Sequence, residues 1–478
     1  IALPTLVQAS TVTRRYQLAA DKSNVSFDDK GEETSLWLYN KTTPGPLLKA
    51  RRGEIIEVEF TNRLDHPSTI HWHGIRNINE MDGVPDLTQA AVEPGETFTY
   101  RFPVNDAGTF WYHAHQKSWE QVARGLYGAL IVLDENEKFE DERDQLIVAD
   151  DWLLDKNDQI DTASLGNLGH WSHGGRLGNA LTINGSFSPG IEIASQGQVK
   201  LRLLNAANAR VLSFALNDKL PMKVISVDGS PCEPFEVGEV TIAPAQRVDV
   251  IVEDCANLKK LFELSTGSQF EAASFNPIKQ NTTQQSVIHS VAPYYQQIDS
   301  ADARLVEIHM QGGAMGNLAS ALFEGEERNL RDLAMNDSKL WAFNGQVGGY
   351  DVTLADVNLG DAVALRIWND TAWPHAMHLH GQHFWVKSSE FGQEEKALLR
   401  DTYLMQPGEK EDLVFIANNP GLWLFHCHML EHNAAGMGGV LRGLPVRWPP
   451  RPALRLDAPG RRRHATPDRN AFLLPYLV

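Results

Sequence analysis

Five side chains able to hold a metal ion fall within the twelve residues HCHMLEHNAAGM (426–437): His426, Cys427, His428, His432 and Met437. In a strand, successive side chains point to opposite faces, so His426 and His428 share one face and Cys427 takes the other. The Cys427 face then meets His432 and Met437 further along. A thiolate, an imidazole and a weak thioether, completed by a second imidazole from elsewhere, make the trigonal set that selects blue copper. The two histidines on the opposite face must serve a different metal site. One tripeptide would therefore join two metal sites through covalent bonds, an arrangement for moving electrons. For an isolated HCH, a buried cysteine beside core histidines is the better reading. Matching clusters elsewhere in the chain shift the balance.

The elements that must position these residues are visible as a repeat. A glycine, an alternating strand and an asparagine recur as GEIIEVEFTN (53–62), GQVKLRLLN (197–205) and GDAVALRIWN (360–369). Each reads as a half-buried β-strand that ends in a polar turn. A Pro-led turn feeding a second strand follows each time: EPGETFTYRF from Glu93, APAQRVDVIV from Ala243 and QPGEKEDLVF from Gln406. Strands and turns at such intervals predict an all-β chain of three consecutive antiparallel sandwiches.

The histidines keep this register. His71 lies nine residues after Asn62 and His378 nine after Asn369, so His73 and His380 also correspond. His113 lies eighteen residues after Gly95 and His426 eighteen after Gly408, which aligns HAH (113–115) with HCH (426–428). The middle copy has Phe214 and Glu263 at these positions. It is expected to be a spacer without metal ligands. Either outer set alone could be a surface metal patch. Two sets in one register argue for a single cluster of eight histidines between the first and third units.

Bulk properties agree with a soluble globular chain. Its 478 residues, 42% hydrophobic and 22% charged, suffice for about three domains. A formal charge of −18 disfavours nucleic acid as a partner. No apolar run is long enough to span a bilayer, so no membrane association is expected. Cys232 and Cys255 could form one disulfide in an oxidising compartment, or remain two buried thiols. The chain begins at Ile1; a processed, periplasmic or secreted form is expected.

The segments HWHG (71–74), HAH (113–115), HAMHLHG (375–381) and HCHMLEHNAAGM (426–437), in this order and spacing, resemble those of three-domain multicopper oxidases of the laccase type. The resemblance runs over roughly residues 10–445. It implies three cupredoxin-like Greek-key β-sandwich domains, which we bound at 1–140, 141–305 and 306–445, followed by a basic Pro/Arg-rich tail at 446–478. It also implies four copper ions. The type-1 ion falls to His375, Cys427 and His432 with Met437 axial. The type-2 ion falls to His71 and His378, and the coupled type-3 pair to His73, His113, His115, His380, His426 and His428. The remaining histidines (His66, His170, His173, His289, His309, His383 and His464) are assigned to surface or core, with His383 nearest to a supporting role.

The implied activity is oxidation of phenols or aromatic amines coupled to four-electron reduction of O2 to water. Donors are implied to meet the protein near His432, whose ring edge in this family faces solvent. Electrons then pass from Cys427 through the backbone to His426 and His428. Asp82, within MDGVPDLTQ (81–89), resembles a proton-relaying carboxylate of the family, although Asp-Gly is also an ordinary turn. Many bacterial members carry a glutamate directly after the last copper histidine. This chain has Asn433, which cannot exchange a proton in the same way. The competing expectations are a cuprous oxidase in copper defence, which the lack of a Met-rich run disfavours, and a copper-free scaffold, which the complete ligand set opposes. A two-domain nitrite reductase would not need all eight cluster histidines. A monomer is expected, and the tail, with its apolar AFLLPYLV end, is expected to dock on the acidic body.

Overall fold

The computed structural model describes residues 12–28, 33–135, 137–278, 288, 291–293, 295–298, 300–387, 391–392 and 396–444. The tail therefore lies outside the described residues, as do His289 and His464. The described chain folds as three consecutive cupredoxin-like sandwiches, each made of two β-sheets. The first pairs two four-stranded sheets, the second a six- with a five-stranded sheet, and the third a nine- with a five-stranded sheet. Each sandwich encloses its own apolar core: around Val58, Trp72 and Tyr112, then Leu201, Phe214 and Val250, then Leu365, Met377 and Phe425. A further cluster joins Trp111, Trp152 and Leu430, from the first, second and third sandwiches in turn.

The sheets differ from the antiparallel expectation, because every one of them contains a parallel pair. Thr13–Val25 runs parallel to Ile55–Asn62, Asp144–Trp152 to Val199–Asn205, and Arg304–Gly312 to Ala362–Asn369. The opposing sheets hold Gly45–Arg51 beside Tyr127–Leu133, Gly190–Ala194 beside Phe270–Ile278, and Thr353–Asn358 beside Gly438–Leu444. In each domain the opening strand reaches its partner through a connection that visits the other sheet. A crossover of that kind, unlike a hairpin, returns the chain in the same direction.

The repeated asparagines have one job in all three domains. Each is fully buried and spends its amide on the turn that follows its strand. Asn62 donates to the carbonyls of His66 and Val92 and accepts from Leu64 N. Asn205 donates to Arg210 O and Ile242 O and accepts from Ala207 N; Asn369 donates to Trp373 O and Gln406 O and accepts from Thr371 N. Satisfying these backbone groups fixes how the chain re-enters the opposite sheet. Nine residues later the same position is reached each time. Strand pairing then places His71 opposite His113, His378 opposite His426, and Phe214 opposite Glu263. In the middle domain the Glu263 carboxylate accepts from Ser265 N instead of facing a metal site.

Candidate metal centre

The strand Gly421–Cys427, the turn after it and the short helix Leu430–Ala434 carry most of the Cys427 site. Cys427 Sγ lies 3.6 Å from His375 Nδ1 and 3.6 Å from His432 Nδ1, and these two nitrogens are 3.0 Å apart. All three side chains are buried. Met437 is buried as well, and its backbone is tied to both neighbours: Cys427 N donates to Met437 O, and Met437 N to His432 O. The far nitrogens are held too. His375 Nε2 pairs with Thr371 Oγ1 at 2.8 Å, and His432 Nε2–H donates to the His173 carbonyl at 2.6 Å. Both rings are thereby oriented with Nδ1 toward the sulfur, as metal ligation requires. Burial pushes the Cys427 thiol well up and His432 down to about 4.

The eight other histidines converge between the first and third domains. Donor atoms of His73, His113 and His428 lie within 4.8 Å of one another, as do those of His115, His380 and His426, and those of His71, His73 and His378. The first triad takes two residues from domain 1 and one from domain 3, the second the reverse. This is the pseudo-twofold expected from the repeat. Burial, with mutual repulsion, holds His73, His113, His115, His378, His380, His426 and His428 below the usual imidazole range, leaving lone pairs free for a metal.

The supporting bonds decide which nitrogens those are. His71 Nδ1–H donates to Asp82 O and His378 Nδ1–H to Asp401 O, each at 2.8 Å, and the Nε2 atom of each ring is buried without a hydrogen-bond partner. His73 uses Nε2 toward Asp401 Oδ1 at 3.1 Å, which leaves its Nδ1 unpartnered. Buried imidazole nitrogens without partners are costly unless something fills the space between them. Imidazole donors grouped this closely are a set that copper takes. His426 and Cys427 are bonded neighbours, so the two sites are joined by the backbone.

Two carboxylates flank the cluster in matching places, and only one was legible in the sequence. Asp82 Oδ2 accepts from His380 Nδ1 at 2.9 Å. Its Oδ1 is 3.3 Å from His71 Nδ1, but that N–H is already given to Asp82 O, so Oδ1 makes no hydrogen bond. The adjoining Gly83 is needed for the turn: at φ +83°, its added Cβ would stand 1.8 Å from Ile70 O. Asp82 is thus both the turn residue and a cluster neighbour. Asp401, not anticipated, does for His73 and His378 what Asp82 does for His380 and His71. No local motif surrounds it; only the pseudo-twofold called for a second acid.

Asp401 is also where the middle domain, which supplies none of the candidate ligands among the described residues, reaches the cluster. Arg247, from that domain's strand Arg247–Val252, donates Nη2 to Asp401 Oδ2 at 2.6 Å and Nη1 to Oδ1 at 3.0 Å. Its Nε reaches Thr109 O in the first domain. Burial alone would raise Asp401, yet the Arg247 guanidinium and the two histidines hold it well below the usual carboxylate range. The glycine of HWHG belongs to this contact, since a Cβ on Gly74 (φ +81°) would come 2.4 Å from Arg247 Nη2. Arg247→Ala would leave a buried carboxylate unpaired, a loss of about 3–5 kcal/mol. A lower thermal midpoint together with substoichiometric copper in the histidine cluster is expected; unchanged copper content would show that Asp401 keeps its position without help.

Other expectations resolve plainly. His383 donates Nε2–H to Gly74 O at 2.7 Å and so braces the backbone beside His73. His66 stacks on Trp37 and His309 on Trp368. Cys232 and Cys255 are free buried thiols, not a disulfide. His432 departs from the expectation of a solvent-facing ring edge: it is 0% exposed, because the helix Leu168–Ser172 and His173 of the middle domain cover it. A cavity of about 440 Å³ reaches His115 and is also lined by Asn433, Tyr350 and Lys339.

A cysteine set between two histidines and bonded to an eight-histidine cluster, on three cupredoxin-like domains, is the construction of a copper-dependent oxidase. Models of the family named multicopper oxidase match residues 19–137, 143–289 and 325–445. The multicopper oxidase MmcO of Mycobacterium tuberculosis is 30% identical over 452 residues, covering 86% of this chain and 84% of its own. Laccase-1 of Cryptococcus neoformans is 27% identical over 90% of this chain and 80% of its own. Among solved structures, a multi-copper oxidase from Pseudomonas thermotolerans superposes with a TM-score of 0.76 at 28% identity, covering 91% of this chain and all of that one. A Campylobacter jejuni multicopper oxidase described as a metallo-oxidase gives 0.73 at 26% identity, over 93% and 94% of the two chains. The chain belongs to the multicopper oxidase family and is an oxidoreductase that uses copper.

Proposed function

We propose that this protein is a laccase-like oxidase coupling one-electron oxidation of phenols or aromatic amines to reduction of O2, with domain boundaries near residues 140 and 305. The balance is four donors per O2: four phenols lose four electrons and four protons, and O2 becomes two waters. The observation that carries this reading is the placement of Cys427 with His375 and His432 while its bonded neighbours, His426 and His428, turn into the histidine triads.

His375, Cys427, His432 and Met437 would hold a type-1 copper, and His71 with His378 a type-2 copper. His73, His113 and His428, with His115, His380 and His426, would hold a type-3 pair. These four coppers would supply one-electron uptake at the thiolate and O2 reduction at the cluster. The chain's own contribution is to hold rings such as His71, His378, His375 and His432 by the far nitrogen, to exclude water by burial, and to deliver protons. Asp82 suits the last task because its Oδ1 is buried, uncommitted and next to the cluster. The cavity that reaches His115 offers small molecules a route in, and Asn433 stands on its wall where a second carboxylate would otherwise serve. A monomer acting in the periplasm or outside the cell completes the proposal.

A cuprous oxidase is the second reading. It is favoured by Met315, 75% exposed, in the loop whose Ala314 N–H bonds to Ser172 O of the segment covering His432. A substrate screen on copper-loaded enzyme decides between them. Phenol turnover without added Cu(II), at rates above those for Cu(I), is the expected result. An absolute need for added Cu(II) would replace the laccase reading with the cuprous one.

A further inference from the structure

The ring that should receive electrons is the one the structure hides. His432 is fully buried, and Trp341 packs against it with ring centroids 4.6 Å apart. The remaining side is closed by the segment 168–173. That segment is fastened at three points: Trp341 Nε1–H donates to Trp171 O at 2.8 Å, Ala314 N–H to Ser172 O at 2.6 Å, and His432 Nε2–H to His173 O at 2.6 Å. A donor in solution therefore cannot touch His432. The shortest bonded continuation outward from its ring is the hydrogen bond to His173.

At that point an exposed side chain appears. The His173 ring stands edge-on to Trp373, with centroids 5.2 Å apart and planes at 60°. His173 Nδ1 is engaged with Gly169 O and Ser172 Oγ, both at 2.8 Å, which turns Nε2 away from the segment. Trp373 is itself fixed, donating Nε1–H to Ala314 O at 3.0 Å. An aromatic face held next to an imidazole nitrogen is suited to a flat donor that carries a hydroxyl.

We propose that electrons enter the Cys427 site through the segment 168–173 of the middle domain, and that His173, beside Trp373, is the residue that contacts and selects the donor. This deepens the laccase reading and rests on it. A phenol docked there loses one electron inward, through the His173 carbonyl and the His432 N–H, and gives its hydroxyl proton to His173 Nε2. The O–H bond breaks, a phenoxyl radical leaves, and His173 returns the proton to solvent. A donor that carries no proton, such as hexacyanoferrate(II), needs the same electron path but not the imidazole.

The test compares copper-loaded parent, His173→Ala and His173→Gln, each with 2,6-dimethoxyphenol and with hexacyanoferrate(II). Blue absorption and reduction potential are recorded for each, and anaerobic bleaching of the blue band is followed by stopped flow. Because His173 is exposed, both variants should fold and keep the parent's absorption and potential. Bleaching by the phenol should slow about tenfold or more in both, the low end for a lost proton acceptor with solvent as substitute. Hexacyanoferrate(II) should stay within about twofold of the parent. Equal losses with the two donors, a shifted blue band, or no loss with the phenol would overturn the assignment. A parent that bleaches with hexacyanoferrate(II) but with no phenol would fail the laccase reading and the proton-accepting role together. A parent active on phenols with an unaffected His173→Ala would fail only the inference.

Discussion

Cys427→Ser is expected to remove the blue absorption and the oxidase activity together while leaving the histidine cluster loaded. The hydroxyl is no substitute for a thiolate, because the charge-transfer colour and the soft bond to copper both come from sulfur. The site it leaves, His375 and His432 with a weak Met437, lacks the ligand that selects the metal. The cluster should survive, since its imidazoles do not depend on the sulfur: His71 is held by Asp82 O, His378 by Asp401 O and His426 by Cys427 O. That last acceptor is a backbone carbonyl and persists in the variant. Loss of copper from both sites would mean that the two assemble as one unit; a blue and active variant would mean that Cys427 is not a ligand.

Asp82→Asn should split the two halves of the reaction. The amide keeps the size and a hydrogen bond to His380 but cannot carry an exchangeable carboxyl proton. Anaerobic reduction of the blue band should proceed at the parent's rate. Reoxidation by O2 should slow by roughly 10²-fold, the scale for losing a positioned proton donor. Because Asn433 lines the cavity that reaches His115, Asn433→Glu in the Asp82→Asn background should restore part of the rate. Stopped-flow recovery of the blue band reads both variants. Unchanged recovery in Asp82→Asn would leave Asp82 as only the residue that turns the chain before Gly83.

The repeat and the site were legible to different depths. The grouping of the candidate ligands could be read because strand pairing and the buried asparagines impose one register on each domain, so equal spacing became equal position. Phe214 and Glu263 show this well: they carry no metal chemistry, yet they pair across strands as His71 with His113 does. The parallel strand pairs were not legible, because periodicity reports which face a residue takes and not the direction of its neighbour. Asp401, Arg247 and the His173 carbonyl were not legible for another reason. Each reaches the site from a separate part of the chain, 154 residues apart for Arg247 and Asp401 and 259 for His173 and His432. Contacts at such separations leave no spacing pattern, and a backbone carbonyl leaves no mark in the sequence at all. The covered His432 is the main consequence: family likeness placed a ring edge in solvent, and a turn of the middle domain hides it.

Copper quantification on the reconstituted full chain, read together with its visible spectrum, tests the central claim most directly. Two donor sets joined at His426–Cys427–His428 should take up four coppers per chain with an intense blue band, and the Cys427→Ser protein should take up three with none. A parent that saturates at one or two coppers, or that binds four without blue colour, would contradict the assignment of Cys427 and the eight histidines to two linked sites.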